Sequence, residues 1–281
     1  AARMAGCRKM TLGASWTILV ALLAEASHGA FEVAIPSATE VAMGGGSVAW
    51  ALEGGAKQGN PALVGAQTGW ECGAGASHPY GMSDLDLGGV WAGRGPSGWL
   101  PGWMARWKGL RAGDIYREDV LELDFAKGDK NWILGGGWRS GRASFEGLAP
   151  DWSHGFALGA SLRPHPRLVV GASWQDLSGI AVPEDRWAQP WELRFGLAAV
   201  ATDSAWTSIA NLRKRQSEPV GWSFGQELRL GILRLRAGLG LEPWILSMGV
   251  GLRWEGLGLD WAQEGDPRLG WQQHWTISVA R

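Results

Sequence analysis

The chain is poor in cysteine, in tyrosine and phenylalanine, and in charge. Its 281 residues include 2 Cys, 2 Tyr and 6 Phe, and charged residues make up only 19%. The 26 basic and 27 acidic residues nearly cancel, so no basic field is available to attract nucleic acid, and no nucleic-acid partner is expected. A hydrophobic content of 46% is ordinary for a globular protein, so composition alone does not indicate a membrane protein.

Long apolar runs are also scarce. Beyond the first 30 residues, no run approaches the roughly 20 residues that a membrane-spanning helix needs. The run 12–23 is also too short to span, but basic residues precede it and small residues with an A-x-A site follow it. This pattern predicts a secretory signal peptide over residues 1–30, with cleavage after Ala26 or Ala30. Cys72 is then the one cysteine of the exported chain, and it cannot form an internal disulfide.

Glycine and tryptophan are abundant, with 44 and 20 residues, and their arrangement has a period of two. In the stretch 244–255, WILSMGVGLRWE, large apolar residues alternate with Ser247, Gly249, Gly251 and Arg253. A bulky apolar face opposite a small or charged face is typical of strands with lipid outside and a lumen inside. Segments of this kind recur near 66–77, 83–93, 98–108, 115–126, 131–143, 152–163, 167–177, 190–202, 204–215, 221–231, 233–241, 244–255, 257–264 and 271–280.

These segments predict an all-β fold, a 14-stranded antiparallel transmembrane β-barrel over residues 66–281, in the outer membrane of a Gram-negative-type bacterium and surrounded by outer-membrane lipid. Links after even-numbered strands are mostly short and those after odd-numbered strands are mostly longer, as expected of periplasmic turns and external loops. Tryptophans near segment ends resemble an interfacial girdle. They are Trp132, Trp152, Trp191, Trp222, Trp244, Trp254, Trp271 and Trp275. The alternatives are a tryptophan-rich soluble β-propeller, although no blade-length repeat is found, or another soluble exported binding protein.

Residues 31–65 precede the first strand and do not alternate. The stretch 37–65, SATEVAMGGGSVAWALEGGAKQGNPALVG, is rich in small residues and predicts a short helix and turns. Because the inner faces of the predicted strands are largely glycine, they leave space in the lumen. We therefore expect residues 31–65 to fold into the barrel as a short N-terminal plug segment.

This stretch resembles the N-terminal signature of the PorV/PorQ group of outer-membrane proteins, within the broader FadL-like barrels. The stretch 233–280 is also similar to the closing hairpins of that group. Glu53-Gly54-Gly55 stands where the group has an acidic pair, and Gly59 stands where it has an aromatic residue. The positions that match the plug signature are Ala42, Met43, Gly44, Gly45, Val48, Ala49, Asn60, Pro61, Ala62 and Leu63.

The resemblance implies two functions. A PorV/PorQ-like protein would be a type IX secretion-associated component for cargo shuttling or surface attachment, with secreted cargo or other secretion components as partners. The alternative is a FadL-like passive transporter of hydrophobic small molecules, with an apolar ligand as its partner. FadL-like transporters have a kinked third strand that opens the wall sideways. Pro101 and Gly102 fall inside the third segment, where proline removes a ladder donor, and we expect a lateral gap there.

Charged residues on the small-residue faces are the other functional candidates. We expect them to pair across neighbouring strands and to hold the plug, in preference to lining a substrate path. They are Glu192, Arg194, Glu227, Arg229, Arg234, Arg236, Arg253 and Asp260. No Gly-x-Ser-x-Gly elbow occurs, and none of the five histidines has metal-ligand spacing. A Ser/His hydrolase site is the remaining enzymatic alternative, but we expect a non-enzyme without metal or cofactor.

Overall fold

The computed structural model describes residues 37–82, 84–177, 190–201 and 205–281, so the predicted signal peptide lies outside the described residues. Within these ranges, fourteen antiparallel strands pair in sequence order, and β1 closes the barrel by pairing with β14. The predicted barrel is thereby confirmed. The strands are β1 (Trp70–His78), β2 (Leu85–Arg94), β3 (Gly102–Ala112), β4 (Tyr116–Gly128), β5 (Trp132–Phe145), β6 (Asp151–His165), β7 (Leu168–Gln175), β8 (Glu192–Val200), β9 (Trp206–Arg215), β10 (Gly221–Leu230), β11 (Leu233–Leu241), β12 (Ile245–Trp254), β13 (Leu257–Asp266) and β14 (Gly270–Ala280).

The helices are short. They are α1 (Ala38–Ala42) and two 3₁₀ helices, Pro61–Ala66 and Pro79–Gly81. In the part of the chain that the structure describes, no helix has the length and apolar character needed to cross a membrane. The first strand was predicted to begin at residue 66, which is too early. Asn60 starts a helix here instead, because its side-chain oxygen accepts a hydrogen bond from the N–H of Ala62 (2.9 Å) and proline occupies the first helical position.

In most strands, the bulky apolar face points outward and the small-residue face points into the barrel, as the alternation predicts. In β12, the side chains of Leu246, Met248, Val250 and Leu252 are between 40% and 46% exposed on the outer surface. Ser247, between the first two of these, is 1% exposed and faces the interior. A surface of this kind is stable in hydrocarbon, because apolar side chains meet acyl chains and the backbone groups are paired within the barrel.

The start of β1 and the residue that follows β14 pair with each other at one end of the barrel. The N–H of Trp70 donates to the carbonyl oxygen of Arg281, and the N–H of Arg281 donates to that of Trp70, both at 2.8 Å. We call this the terminal end and the opposite end the distal end. In outer-membrane barrels the short turns are periplasmic, so we expect the terminal end to face the periplasm.

Tryptophans lie at both ends of the barrel. Trp70, Trp132, Trp206 and Trp254 lie at the terminal ends of their strands, and Trp152, Trp222, Trp244 and Trp271 lie at or next to the distal ends. Trp275 was also expected at a strand end, but it lies in the middle of β14, where it is 57% exposed on the outer surface. It therefore faces the predicted acyl-chain region and not the interface.

The predicted contrast in loop length is only partial. The terminal-end turn 95–101 is longer than the distal-end turns 113–115 and 242–244. The reason is that strands extend further than the alternation suggested. β3 continues to Ala112 and takes up most of the predicted loop after it.

Candidate functional site

Residues 37–66, which we call the luminal segment, pack against the inner faces of the strands. Ala38, Met43, Ala56, Ala62 and Val64 of this segment have no exposed surface. One buried apolar cluster joins Ala56 and Val64 to inward-facing side chains of β2, β3 and β4, and another joins Met43 to those of β7, β8 and β9. The core of the protein therefore lies in the barrel interior, between this segment and the wall.

Inward-facing glycines allow this close packing. A Cβ atom added at Gly135 would lie 2.5 Å from the backbone nitrogen of Ala62, and one at Gly249 would lie 2.6 Å from the Cβ of Ala42. Similar collisions with the luminal segment would follow at Gly159, Gly171, Gly196, Gly225 and Gly238. Glycine is thus present on these faces because the backbone of the luminal segment lies directly against the wall.

The wall also holds the luminal segment by hydrogen bonds. The Asn211 side chain accepts from the N–H of Val48 (3.1 Å) and donates to the carbonyl oxygen of Gly46 (3.0 Å). The Asn60 amide donates to the carbonyl oxygen of Ala160 in β6 (2.9 Å), and Ser173 donates to that of Gly59 (2.6 Å). Several buried polar groups of the segment are therefore paired with strands around the barrel.

The residues matched to the plug signature lie in two places. Met43, Gly44 and Gly45 end α1, and the two glycines have positive φ angles of 79° and 97°, which turn the chain. Asn60, Pro61 and Ala62 begin the 3₁₀ helix, close to Gly135 and Gly159. Both groups lie in the luminal segment, but a plugging function for this segment stays a prediction.

The eight predicted luminal charges lie on inner faces, and most belong to one network. Arg236 is 2.7 Å from both Glu227 and Asp260. Asp260 is 2.8 Å from Arg253, and Glu227 is also 2.7 Å from Arg229. Arg234 and Arg253 reach Glu53 of the luminal segment at 3.7 and 3.9 Å, while Glu192 pairs with Arg194. The pairing thus crosses neighbouring strands and extends to the luminal segment.

A second charge network was not predicted from the sequence. Arg106 of β3 pairs with Asp124 (2.7 Å) and Glu122 (3.5 Å) of β4. Arg139 of β5 pairs with Glu122 (2.7 Å) and with Asp176 beyond β7 (2.9 Å). The signal was present, since charged residues alternate with apolar ones at 104–108 and 120–124, just as they do in the later strands.

Arg106 joins this second network to the luminal segment. Its guanidinium donates to the carbonyl oxygens of Ala56 (2.5 Å) and Lys57 (2.9 Å). Lys57 in turn lies 2.5 Å from Glu71 of β1, whose other oxygen accepts from the N–H of Gly54 (3.1 Å). Two charge networks on opposite parts of the wall therefore fix the same segment.

Glu40 in α1 is a buried carboxyl within the luminal segment. Burial raises its pKa, while Arg106 and Lys57 lower it by a smaller amount. In the folded state the group therefore holds its proton to higher pH than in the unfolded state. The contribution of Glu40 to stability is therefore expected to be fully present at low pH and to be lost as pH rises from the ordinary carboxyl range through the raised pKa.

Glu40→Gln is expected to remove this pH dependence, because glutamine is uncharged at every pH and can still accept from the N–H of Ala56, which lies 3.2 Å from Glu40. The measurement is urea unfolding of the detergent-solubilised chain from mildly acidic to mildly alkaline pH. Glu53→Gln, at a partly exposed position of the same segment, is the control and keeps the slope. An unchanged slope in Glu40→Gln would contradict the assignment.

The predicted position of Pro101 inside the third strand is wrong. Pro101 precedes β3, which begins at Gly102, and Gly102 pairs with Ala126 of β4. The ladder between β2 and β3 runs from Leu85–Ala112 to Arg94–Trp103 without a register shift. Proline is accommodated here because the turn 95–101 needs no ladder donor from it. A lateral gap at Pro101 and Gly102 therefore has no interrupted strand to support it.

Among the described residues, the two larger cavities that border the luminal segment lie at opposite ends of the barrel. A distal-end cavity of about 210 Å³ is lined by residues that include Val48, Arg194 and Trp222. A terminal-end cavity of about 500 Å³ is lined by residues that include Trp50 and Val169. On the outer surface, a groove of about 400 Å³ lies over β5 to β8. Among the described residues, no cluster of three or more His, Cys, Asp or Glu could hold a metal ion.

Comparisons with known proteins support the fold. No family model and no curated protein matches the sequence. The Ralstonia pickettii toluene transporter TbuX is 14% identical, with 89% of this chain and 98% of that chain covered and a TM-score of 0.62. The Pseudomonas putida toluene transporter TodX is 13% identical, with 89% and 97% covered and a TM-score of 0.63. The Acinetobacter baumannii outer membrane protein Omp33 is 6% identical, with 77% and 100% covered and a TM-score of 0.52.

The fold is therefore a closed 14-stranded antiparallel barrel like that of these toluene transporters. At these identities the likeness concerns the fold alone. The narrower PorV/PorQ assignment gains no support from it. Proteins named as transporters share the architecture across most of their length.

Proposed function

We propose that this barrel carries small apolar molecules across the outer membrane. The observation that carries the proposal is a closed barrel of the toluene-transporter architecture whose interior is largely filled by its own N-terminal segment. A filled interior opposes the passage of large hydrated solutes. The alternative function predicted from the sequence is therefore favoured over the secretion-associated one.

The remaining space suits apolar molecules of modest size. The terminal-end cavity of about 500 Å³ lies within the range of small-molecule sites, whereas the distal-end cavity of about 210 Å³ is smaller than that range. The terminal-end cavity has the apolar side chains of Ala49, Trp50, Ile133 and Val169 in its lining, and Lys130 and Arg163 also border it. We propose that the luminal segment acts as the plug and that small shifts of this segment connect the two cavities.

The proposal predicts selective entry of an apolar probe into intact cells. Cells expressing the chain are expected to take up N-phenyl-1-naphthylamine, a dye that an intact outer membrane excludes, faster than cells with an empty vector. Hydrolysis of nitrocefin by a periplasmic β-lactamase, which reports entry of a hydrophilic solute, should not increase. Dye fluorescence and nitrocefin absorbance are measured on the same cultures.

A matched pair of variants tests the route. Ala51→Trp fills the terminal-end cavity and is expected to slow dye entry several-fold, whereas Ala74→Trp, on the outer face of β1, should not. Dye entry equal to that of the empty vector would contradict the proposed function. A parallel rise in nitrocefin hydrolysis would also contradict it, because it would indicate an open aqueous pore.

A further inference from the structure

The terminal end carries an unbalanced group of basic residues. We call it the terminal basic surface, and it consists of Arg94, Lys127, Lys130, Arg163 and Arg167. These residues lie at the terminal ends of β2, β4 and β6 and in the turns 129–131 and 166–167. In the described ranges, none of the five forms an ion pair with a carboxylate. Two of them have other partners, since Lys127 donates to the carbonyl oxygen of Trp99 (2.5 Å) and Arg163 lies 5.6 Å from the ring centroid of Trp50 in the luminal segment. Cations without a carboxylate partner remain able to bind an external anion.

Asp129, the carboxylate next to Lys130 in the sequence, binds backbone N–H groups of its own turn. Asp129 accepts hydrogen bonds from the N–H groups of Asn131 (2.7 Å) and Trp132 (3.1 Å). These bonds lower its pKa, so it is ionised at neutral pH. The surface therefore sets five cations against one carboxylate that already has two donors.

Tryptophans place this surface at the membrane boundary. The guanidinium of Arg94 lies 5.6 Å from the ring centroid of Trp70, which begins β1 at the terminal end. Trp132 begins β5 at the same end and is 48% exposed. Tryptophan favours the headgroup level of a bilayer, so the turn residues Lys130 and Arg167 are placed at that level or just outside it.

The distal end differs in this respect. Arg117 lies 2.7 Å from Asp119, Arg213 lies 3.2 Å from Glu218, and Arg268 lies 3.6 Å from Asp266. Several exposed arginines there already have carboxylate neighbours in the chain. These three distal arginines thus differ from the terminal basic surface, although Arg111 and Arg142 at the distal end also form no ion pair among the described residues.

We propose that the terminal basic surface binds the phosphate groups of anionic phospholipids in the adjoining leaflet. Guanidinium and ammonium groups donate charge-assisted hydrogen bonds to phosphate oxygens, and arginine can donate two in parallel. Headgroup phosphates lie at the depth that the tryptophans define. The binding would hold the barrel at a fixed height and orientation, and it does not depend on the transport function.

The test compares lipid retention by full-length variants in mixed micelles that contain equal amounts of phosphatidylglycerol and phosphatidylcholine. Native mass spectrometry counts each bound lipid. The test variant is Arg94→Gln/Lys130→Gln/Arg167→Gln. The control, Arg111→Gln/Arg117→Gln/Arg142→Gln, removes the same charge from the distal end.

The unmodified chain and the control are expected to retain phosphatidylglycerol in preference to phosphatidylcholine. The test variant should lose this preference by about a hundredfold, since each cation near anionic headgroups contributes roughly a factor of five. Should the triple variant fail to fold, Lys130→Gln and Arg167→Gln alone, both in exposed turns, should each give a partial loss. Equal retention by folded test variant and control would overturn the proposal. The proposal would also be overturned if the unmodified chain showed no preference for phosphatidylglycerol. That result would favour an acidic periplasmic protein as the partner of this surface.

Discussion

Gly135→Val is expected to destabilise the barrel by about 3 kcal/mol or more, as overpacking of a filled interior does. The new side chain would meet the backbone of Pro61 and Ala62 at the start of the 3₁₀ helix. Backbone atoms cannot rotate away as the end of a flexible side chain can. Either the luminal segment leaves its position or β5 moves, and both changes expose buried apolar surface.

The control is one residue away on the same strand. Gly136 faces outward, and the nearest atom to an added Cβ is the carbonyl oxygen of Ala157 at 3.8 Å. Gly136→Val is therefore expected to change stability by less than about 0.5 kcal/mol. Urea unfolding in detergent gives the free energies, and trypsin cleavage after Lys57 reports release of the segment. Equal stability of the two variants would show that the wall and segment are not in direct contact.

Arg236→Leu is the second change with a large expected effect, about 3 to 5 kcal/mol, because it leaves buried carboxylates without their central partner. The side chain of Arg236 is 1% exposed and bridges Glu227 and Asp260. Removing it leaves two carboxylates that are 1% and 0% exposed. Glu227 keeps Arg229 (2.7 Å) and Asp260 keeps Arg253 (2.8 Å), but each buried carboxylate loses one of its two arginine partners.

A variant without charge at the three central positions of the network distinguishes the effect of lost charge from the effect of altered packing. Arg236→Gln/Glu227→Gln/Asp260→Asn removes all three charges, and it should be more stable than Arg236→Leu in the same urea titration. Arg117→Leu, which breaks an exposed pair with Asp119, serves as the control and should have little effect. If Arg236→Leu behaved like Arg117→Leu, the network would not be buried in the folded barrel.

The strands were predictable because their period-two pattern is local. The outward face of β12 can be recognised from the size of Leu246, Met248 and Val250, without knowledge of the neighbouring strands. The position of the luminal segment was predictable for a related reason, since inward glycines leave a volume that something must fill. Strand ends were less predictable where a local hydrogen bond decided them, as Asn60 does for the helix before β1.

The partners of individual charges depend on closure of the barrel and could not be assigned in full. Arg139 meets Asp176, 37 residues away, because β5, β6 and β7 are neighbours and Asp176 directly follows β7. Arg106 meets the carbonyl oxygen of Ala56 because of the path the luminal segment takes inside the wall. Neither path follows from alternation. Pro101 was misplaced because a turn and a strand interruption look alike in sequence.

The most direct test of the account is the lipid accessibility of β12. Single cysteines at Ser247, Met248 and Val250, in a Cys72→Ser background, are spin-labelled in liposomes. Collision with oxygen, which concentrates in acyl chains, is compared with collision with a water-soluble nickel chelate. The account predicts high oxygen accessibility at Met248 and Val250 and low accessibility to both reagents at Ser247. High accessibility at Ser247 with shielded Met248 and Val250 would contradict it, because the apolar side chains would then form an ordinary soluble core.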